Sequence, residues 1–361
     1  MQEQIQPHSA TALYTVRPSP SKGFGAFATA PIPSGSLILA EPPTIILMQE
    51  AHAIRDADIE ATLPTLSEAQ RTAFAALSAP PTQYQSELLR KFMGNSMSPA
   101  GLPGTTCLCL QIARFNHSCD PNAEMAWNPF TGSFNLYAIR AISADEEIVW
   151  NYIPGSNYMP RSYRRFLHFL NWRFVCTCAK CAGDGMSEPS RNREDAQRER
   201  MYSLRNALQG FELEALGRDE IRARGIDVEE TWAPGELDAI LDGLWQPPRP
   251  SSLPADLKDM DAKAQFGAWI QLADLMEDAG ICGKELALAR LNAVDVAIGQ
   301  MEGGGREGEV DIGMVDQCVE RAMRGIYASR PPGGPDVRAF EAMKERWVGL
   351  RGEMVRRLRL G

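Results

Sequence analysis

The sequence predicts an α+β protein, with a β-rich amino-terminal half of short strands joined by turns and an all-helical carboxy-terminal half. Three observations predict it. Short apolar runs punctuated by Gly and Pro fill the stretch from Tyr14 to Met48. A turn sequence, Asn128-Pro129-Phe130-Thr131-Gly132, separates two strand-like runs. Beyond Gly183 the chain becomes charged and takes on helical periodicity.

Residues 1–11 are polar and aperiodic and read as a flexible tail. Gly25 to Ala28, Ser36 to Ala40 and Thr44 to Met48 follow as short strands. Between about 51 and 94 the period changes to helical. Ser67 stands as an N-cap before Glu68-Ala69-Gln70, and Phe74 and Leu77 continue one apolar face. Leu88, Leu89 and Phe92 mark a second helix of this insertion. Strands resume at Glu124 to Trp127, Phe134 to Arg140 and Glu147 to Ile153, and Arg161 to Trp172 reads as a helix. The residues from 190 to 361 form a helical domain, broken at Gln246-Pro247-Pro248-Arg249-Pro250 and at Pro331-Pro332-Gly333-Gly334-Pro335. Its amphipathic segments lie at about 258–279, 284–301, 309–329 and 336–358, and their Arg and Glu runs read as solvated helix faces.

Composition narrows the class without naming a function. The 361 residues allow two to three domains, and 44% hydrophobic residues exclude wholesale disorder. No run approaches the roughly 18 apolar residues of a membrane helix, since Leu37 to Met48 is broken by Glu41-Pro42-Pro43. A formal charge of −9 argues against direct nucleic-acid binding. Met1 to Tyr14 has neither the basic start nor the apolar core of an export signal, so the expectation is an intracellular protein. Eight cysteines then point to thiols or metal rather than disulfides.

Cys176-Thr177-Cys178-Ala179-Lys180-Cys181 places three thiols within six residues, a spacing that turns can fold around one tetrahedral zinc. A closed structural site needs a fourth ligand. On chemistry alone Cys119, Cys107, Cys109, His117 and His168 all qualify, although Cys107 and Cys109 alternate with Leu and read as core residues.

Four separated segments resemble the SET-domain lysine methyltransferases. They are Lys22-Gly23-Phe24-Gly25-Ala26-Phe27-Ala28 with Ile32, Gly35 and Glu41-Pro42; Arg114-Phe115-Asn116-His117-Ser118-Cys119-Asp120-Pro121-Asn122; Ala138-Ile139-Arg140-Ala141-Ile142 with Glu146-Glu147-Ile148 and Tyr152; and Trp172-Arg173-Phe174 leading into the cysteines. The likeness covers about residues 12–183 and is strongest to the SET-and-MYND type and its fungal relatives. The insertion holds no cysteine and only His52, so a MYND zinc finger is not expected.

The resemblance implies a SET domain of small curved sheets over 12–172, a post-SET zinc segment over 173–183 and a knot-like crossing between the segment of Asn116 and His117 and that of Tyr152. It implies S-adenosylmethionine as methyl donor, held by Lys22, Gly23, Phe24, Gly25, Asn116, His117, Tyr152 and Phe174. Tyr152 is implied as the catalytic residue, and Cys119 as the fourth zinc ligand beside Cys176, Cys178 and Cys181. Gly23 and Gly25 suit a backbone passing close to a ligand. The implied substrate is a protein lysine, histone or non-histone, and the expected protein is a monomer of the nucleus or cytoplasm. Two departures stand out. Asp145 replaces the usual Gly before Glu146-Glu147 and tolerates the left-handed turn needed there. Trp150-Asn151 replaces smaller residues before the tyrosine and reshapes the lysine channel, which leaves the degree of methylation open. A second reading, a catalytically silent platform for protein binding, is disfavoured by Gly23, Gly25, Asn116, His117 and Tyr152 occurring together.

Overall fold

The computed structural model describes residues 13–20, 22–80, 86–153, 155–182, 187–209, 260–302, 311–330 and 334–360. The expected tail over 1–11, the Pro-rich break at 246–250 and residues 331–333 of the second break lie outside these. The chain divides into two compact units. One gathers Met1–Pro154, Ser162–Ala182 and Leu216–Ile240, and the other Gly155–Arg161, Gly183–Ala215 and Leu241–Gly361.

The described part of the first unit is built on ten short strands: β1 (Tyr14–Ser19), β2 (Gly23–Ala28), β3 (Leu37–Glu41), β4 (Ile45–Leu47), β5 (Ser96–Met97), β6 (Thr106–Leu108), β7 (Asn116–His117), β8 (Ala123–Asn128), β9 (Ser133–Ala138) and β10 (Glu147–Trp150). They form three small sheets in the orders β1-β2-β10-β7, β3-β9-β8 and β4-β6-β5. The β8–β9 hairpin falls where the turn sequence predicts it. Gly132 takes φ 61° there, and its N–H reaches Asn128 O at 2.9 Å. Asp145 adopts φ 64°, so the expected left-handed turn survives the loss of glycine. The insertion supplies α1 (Asp56–Thr62), α2 (Glu68–Ala75) and α3 (Glu87–Met93). Ser67 caps α2 as predicted, its hydroxyl accepting from Gln70 N while Gln70 returns a bond to Ser67 N. Phe74, Leu77 and Phe92 bury against Ile45 and Leu108 of the third sheet.

Two contacts, one before β7 and one after it, place this strand. The buried Glu41 carboxylate accepts the N–H groups of Gln111 and Ile112 at 3.0 and 2.8 Å. Burial nonetheless raises this carboxyl above its ordinary pKa. Asn122 then clamps β10, donating to Glu147 O at 2.8 Å and accepting from Val149 N at 2.8 Å. β7 thereby lies parallel to β10, with Val149 opposite Asn116 and Trp150 opposite His117.

The strand expected over Glu147 to Ile153 stops at Trp150. Past it the backbone N–H groups turn to side chains, Tyr152 N to His117 Nδ1 and Ile153 N to Asn151 Oδ1, and the ladder cannot continue. The helix α4 (Arg161–Trp172) has the predicted bounds, and α5 (Ala179–Ala182) holds the last of the clustered cysteines.

The described part of the second unit is helical: α6 (Glu188–Gln209), α7 (Ala262–Asp278), α8 (Lys284–Glu302), α9 (Ile312–Ser329) and α10 (Pro335–Leu360). Trp269, Leu272, Val294, Ile298, Ile326 and Trp347 are among its core residues. Two arginines here depart from the reading of the Arg and Glu runs as solvated faces. Arg198 and Arg290 are each 2% exposed. Carboxylates make that burial tolerable: Glu194 one turn away from Arg198, and Asp274 and Glu277 beside Arg290.

Candidate active site and metal centre

The first unit brings Cys119, from the loop after β7, to Cys176, Cys178 and Cys181 beyond α4. All four sulfurs lie within 4.8 Å of one another. Cys119 Sγ is 3.5 Å from Cys181 Sγ and 3.9 Å from Cys176 Sγ. A tetrahedron with metal–sulfur bonds of about 2.3 Å has edges of about 3.8 Å, so the set fits one zinc ion. Mutual hydrogen bonding splits the thiols, pushing Cys119 up and pulling Cys178 down. A divalent cation would draw all four to thiolates. Arg164 of α4 is fully buried, and its guanidinium approaches Cys181 Sγ at 3.7 Å, supplying positive charge to an anionic cluster. Cys107 and Cys109 are core residues of β6 and the turn after it, and burial pushes the Cys107 thiol up to about 11.

The glycine-bearing strand meets the Asn-His segment over one carboxylate. Asn116 Nδ2 donates to Phe24 O at 2.9 Å and to Glu147 Oε1 at 2.7 Å. Lys22 Nζ reaches Glu147 Oε2 at 3.3 Å. A side chain at position 25 would collide with Glu147 Oε1 and come within 2.8 Å of Asn116 Nδ2. Any larger residue at 25 would have to displace the Glu147 carboxylate and the Asn116 amide from their present places. Gly23 takes φ 75°, which only glycine adopts without strain. With both amide hydrogens of Asn116 engaged, its carbonyl oxygen is left as an acceptor, suited to an ammonium group. The Phe24 ring is 49% exposed beside this acceptor-rich corner.

Tyr152 stands next to that corner. Its hydroxyl donates to Phe115 O at 2.9 Å, and Trp150 Nε1 donates to the same carbonyl at 3.2 Å. Burial, with the nearby Glu147 carboxylate, pushes the phenol well above its ordinary pKa and keeps it neutral. Rings surround it: Trp150 at 5.1 Å, His117 at 5.3 Å and Trp172 at 5.3 Å between centroids. Phe174 stacks on His168 at 5.3 Å and 17°. Burial drives the His117 imidazole well below its usual pKa, and drives His168 down to about 4. Both rings are neutral near pH 7.

Residues 23–153 match the SET-domain family. The chain carries a SET domain. It is similar to histone-lysine N-methyltransferase set5 of Schizosaccharomyces pombe, at 31% identity over 172 residues that cover 48% of this chain and 51% of that protein. It is 34% identical over 80 residues to histone-lysine N-methyltransferase SET5 of Scheffersomyces stipitis, covering 22% and 16% of the two chains. The SET domain and MYND-type zinc finger protein 6 of Schizosaccharomyces pombe is 29% identical over 192 residues, covering 51% of this chain and 37% of that protein. The chain thus spans about half the length, or less, of these relatives.

The structure gathers Lys22, Gly23, Phe24, Gly25 and Asn116 around Glu147, sets His117 and Tyr152 side by side, and brings Cys119 of the matched segment together with Cys176, Cys178 and Cys181, which follow it in the chain. Phe174 joins the aromatic group through His168, Trp172 and His117. Sequence reasoning missed Glu147 as the anchor of the corner and Arg164 as the cation at the sulfurs. The signal for Arg164 was its spacing four residues before His168, which sets both on one face of α4.

Proposed function

We propose that the chain is an S-adenosylmethionine-dependent protein-lysine N-methyltransferase, acting on a histone or non-histone protein in the nucleus or cytoplasm. The observation that carries this reading is the meeting of Gly25, Asn116 and Glu147 beside a half-buried neutral tyrosine, within a SET domain. Lys22, Gly23, Phe24, Gly25, Asn116, His117, Tyr152 and Phe174 are the residues that would hold the cofactor. Cys119, Cys176, Cys178 and Cys181 would hold one structural zinc. The proposed division is a SET domain over 12–172 with the knot-like crossing of its family, a zinc segment over 173–183 and a helical domain over 190–361.

S-adenosylmethionine supplies a methyl group already activated by its sulfonium, so the protein needs no nucleophile of its own. What the residues supply is alignment and exclusion of water. The neutral Tyr152 hydroxyl, fixed on Phe115 O, offers a polar guide inside an aromatic wall. Such a wall lowers the pKa of an incoming lysine amine by desolvation and raises its neutral, reactive fraction. Incubating the full chain with labelled S-adenosylmethionine, core histones and a cell extract tests the reading. Labelled protein bands are expected. Cofactor binding without any protein labelling would favour a silent binding platform instead.

A further inference from the structure

Two hydrogen bonds on a single imidazole link the cysteine cluster to the tyrosine. Tyr152 N lies 3.2 Å from His117 Nδ1, and His117 Nε2 lies 3.2 Å from Cys119 Sγ. A backbone N–H can only donate, so Nδ1 is the acceptor. A neutral imidazole then carries its proton on Nε2, the nitrogen aimed at the sulfur. His117 is 5% exposed, which leaves little room for water to substitute for either bond. His168 braces the arrangement, its ring 3.8 Å from that of His117 and its Nε2 4.0 Å from the same sulfur.

The strength of the sulfur end depends on what the sulfur is. A thiolate bound to a cation accepts an N–H strongly, as charged acceptors do. A neutral thiol accepts weakly and brings a proton of its own. Metal at the four cysteines would therefore pin the His117 ring through Nε2, and the pinned ring offers Nδ1 to the Tyr152 backbone in one fixed place. The parallel register of Trp150 opposite His117 sets Tyr152 two residues further on, where that acceptor replaces the strand partner the backbone has lost. Asn116, the neighbour of His117, holds the glycine-bearing corner through Phe24 O and Glu147. The same two-residue strand β7 thus serves both the cysteine cluster and the proposed cofactor corner.

We infer that His117 is a positioning residue that couples metal occupancy of the four cysteines to the placement of Tyr152 and to cofactor affinity. The coupling rests on the methyltransferase reading above, and it makes the metal more than a staple for the segment after α4. Because linkage is reciprocal, a bound cofactor analogue tightens the metal by the factor with which the metal tightens the analogue.

The test is an equilibrium competition for zinc between the full chain and a chromophoric chelator, with and without saturating sinefungin, a non-reactive cofactor analogue. Sinefungin should raise the apparent zinc affinity by about tenfold, within the ordinary range of coupling between sites. Two variants divide the imidazole. His117→Gln keeps an N–H near the Nε2 position and loses the acceptor for Tyr152, so zinc affinity stays near wild type while the linkage disappears. His117→Asn keeps an acceptor near Nδ1 and loses the donor to Cys119, so zinc affinity falls by about tenfold and the linkage again disappears. Sinefungin binding in the wild type with no change in zinc affinity overturns the coupling, and that comparison needs no variant. Linkage persisting at full size in both variants overturns the role of His117 and transfers it to the Phe174 segment. A zinc-loaded chain that does not bind sinefungin contradicts the methyltransferase reading and the coupling with it.

Discussion

In the helical unit, helices of 17 to 26 residues bury Trp269, Val294, Ile298 and Ile326 against one another, and buried cations such as Arg290 find carboxylates on a neighbouring helix. In the β-rich unit the strands run two to six residues. Such strands are held in place by single polar atoms: the Glu41 carboxylate on the turn before β7, Asn122 on β10, and Asn116 on Phe24 and Glu147. Apolar burial along a long helix tolerates small shifts. A hydrogen-bonded corner assembled from three separated segments does not, and the proposed chemistry sits in that unit. The comparison teaches that the region with the weakest local structure carries the most specific contacts, and the proposed zinc at its four cysteines would add a further tie.

The largest expected effect attacks the metal. Cys178→Ser should lower metal content from about one zinc per chain to near zero and unfold the segment after α4, while the helical signal in circular dichroism largely remains. Full zinc content in that variant would remove Cys178 from the ligand set. Gly25→Ala comes next. Its methyl group would collide with Glu147 and displace Asn116, and sinefungin affinity should fall by about a hundredfold with zinc content unchanged. Calorimetric titration reads the first quantity and metal analysis the second; equal affinity in the two proteins would show that the corner is not the cofactor site.

The smallest effect belongs to the helical unit. Burial alone would raise the Asp336 carboxyl, but the Lys284 ammonium and the Arg330 guanidinium more than offset it and hold it below its ordinary pKa. A carboxyl lowered on folding stabilises the fold above its unfolded pKa of about 3.9. That contribution is lost as pH falls through the lower folded value. Asp336→Asn should therefore destabilise the helical unit by about 2 kcal/mol at pH 7 and by less in acid. Denaturant melts at the two pH values check it, and a difference that grows in acid would reverse the sign.

Much of this was legible in the sequence because the signals were local. The turn at 128–132, the Ser67 cap and the helix from Arg161 to Trp172 each depend on residues within a few positions of one another. The cysteine cluster and the Asn116-His117 pair were legible for another reason, since those residue types at those spacings serve few other purposes. The contacts that stayed hidden join distant residues. Nothing near Glu147 says that its carboxylate will lie against Gly25, 122 positions earlier in the chain. The end of β10 was misjudged because alternation continues to Ile153, whereas the Tyr152 N–H is claimed by an imidazole from another segment. The Arg164 guanidinium likewise meets the sulfur of Cys181 only once the fold turns the chain after α4 back on that helix.

Mass spectrometry of methyl-lysine in core histones and extract proteins, after treatment with wild type or Tyr152→Phe in the presence of S-adenosylmethionine, tests the central claim most directly. The account predicts new methyl-lysine with wild type and about a hundredfold less with the variant, at unchanged sinefungin affinity. New methyl-lysine at equal levels from both proteins would contradict the role of Tyr152, and none from either would contradict the methyltransferase itself.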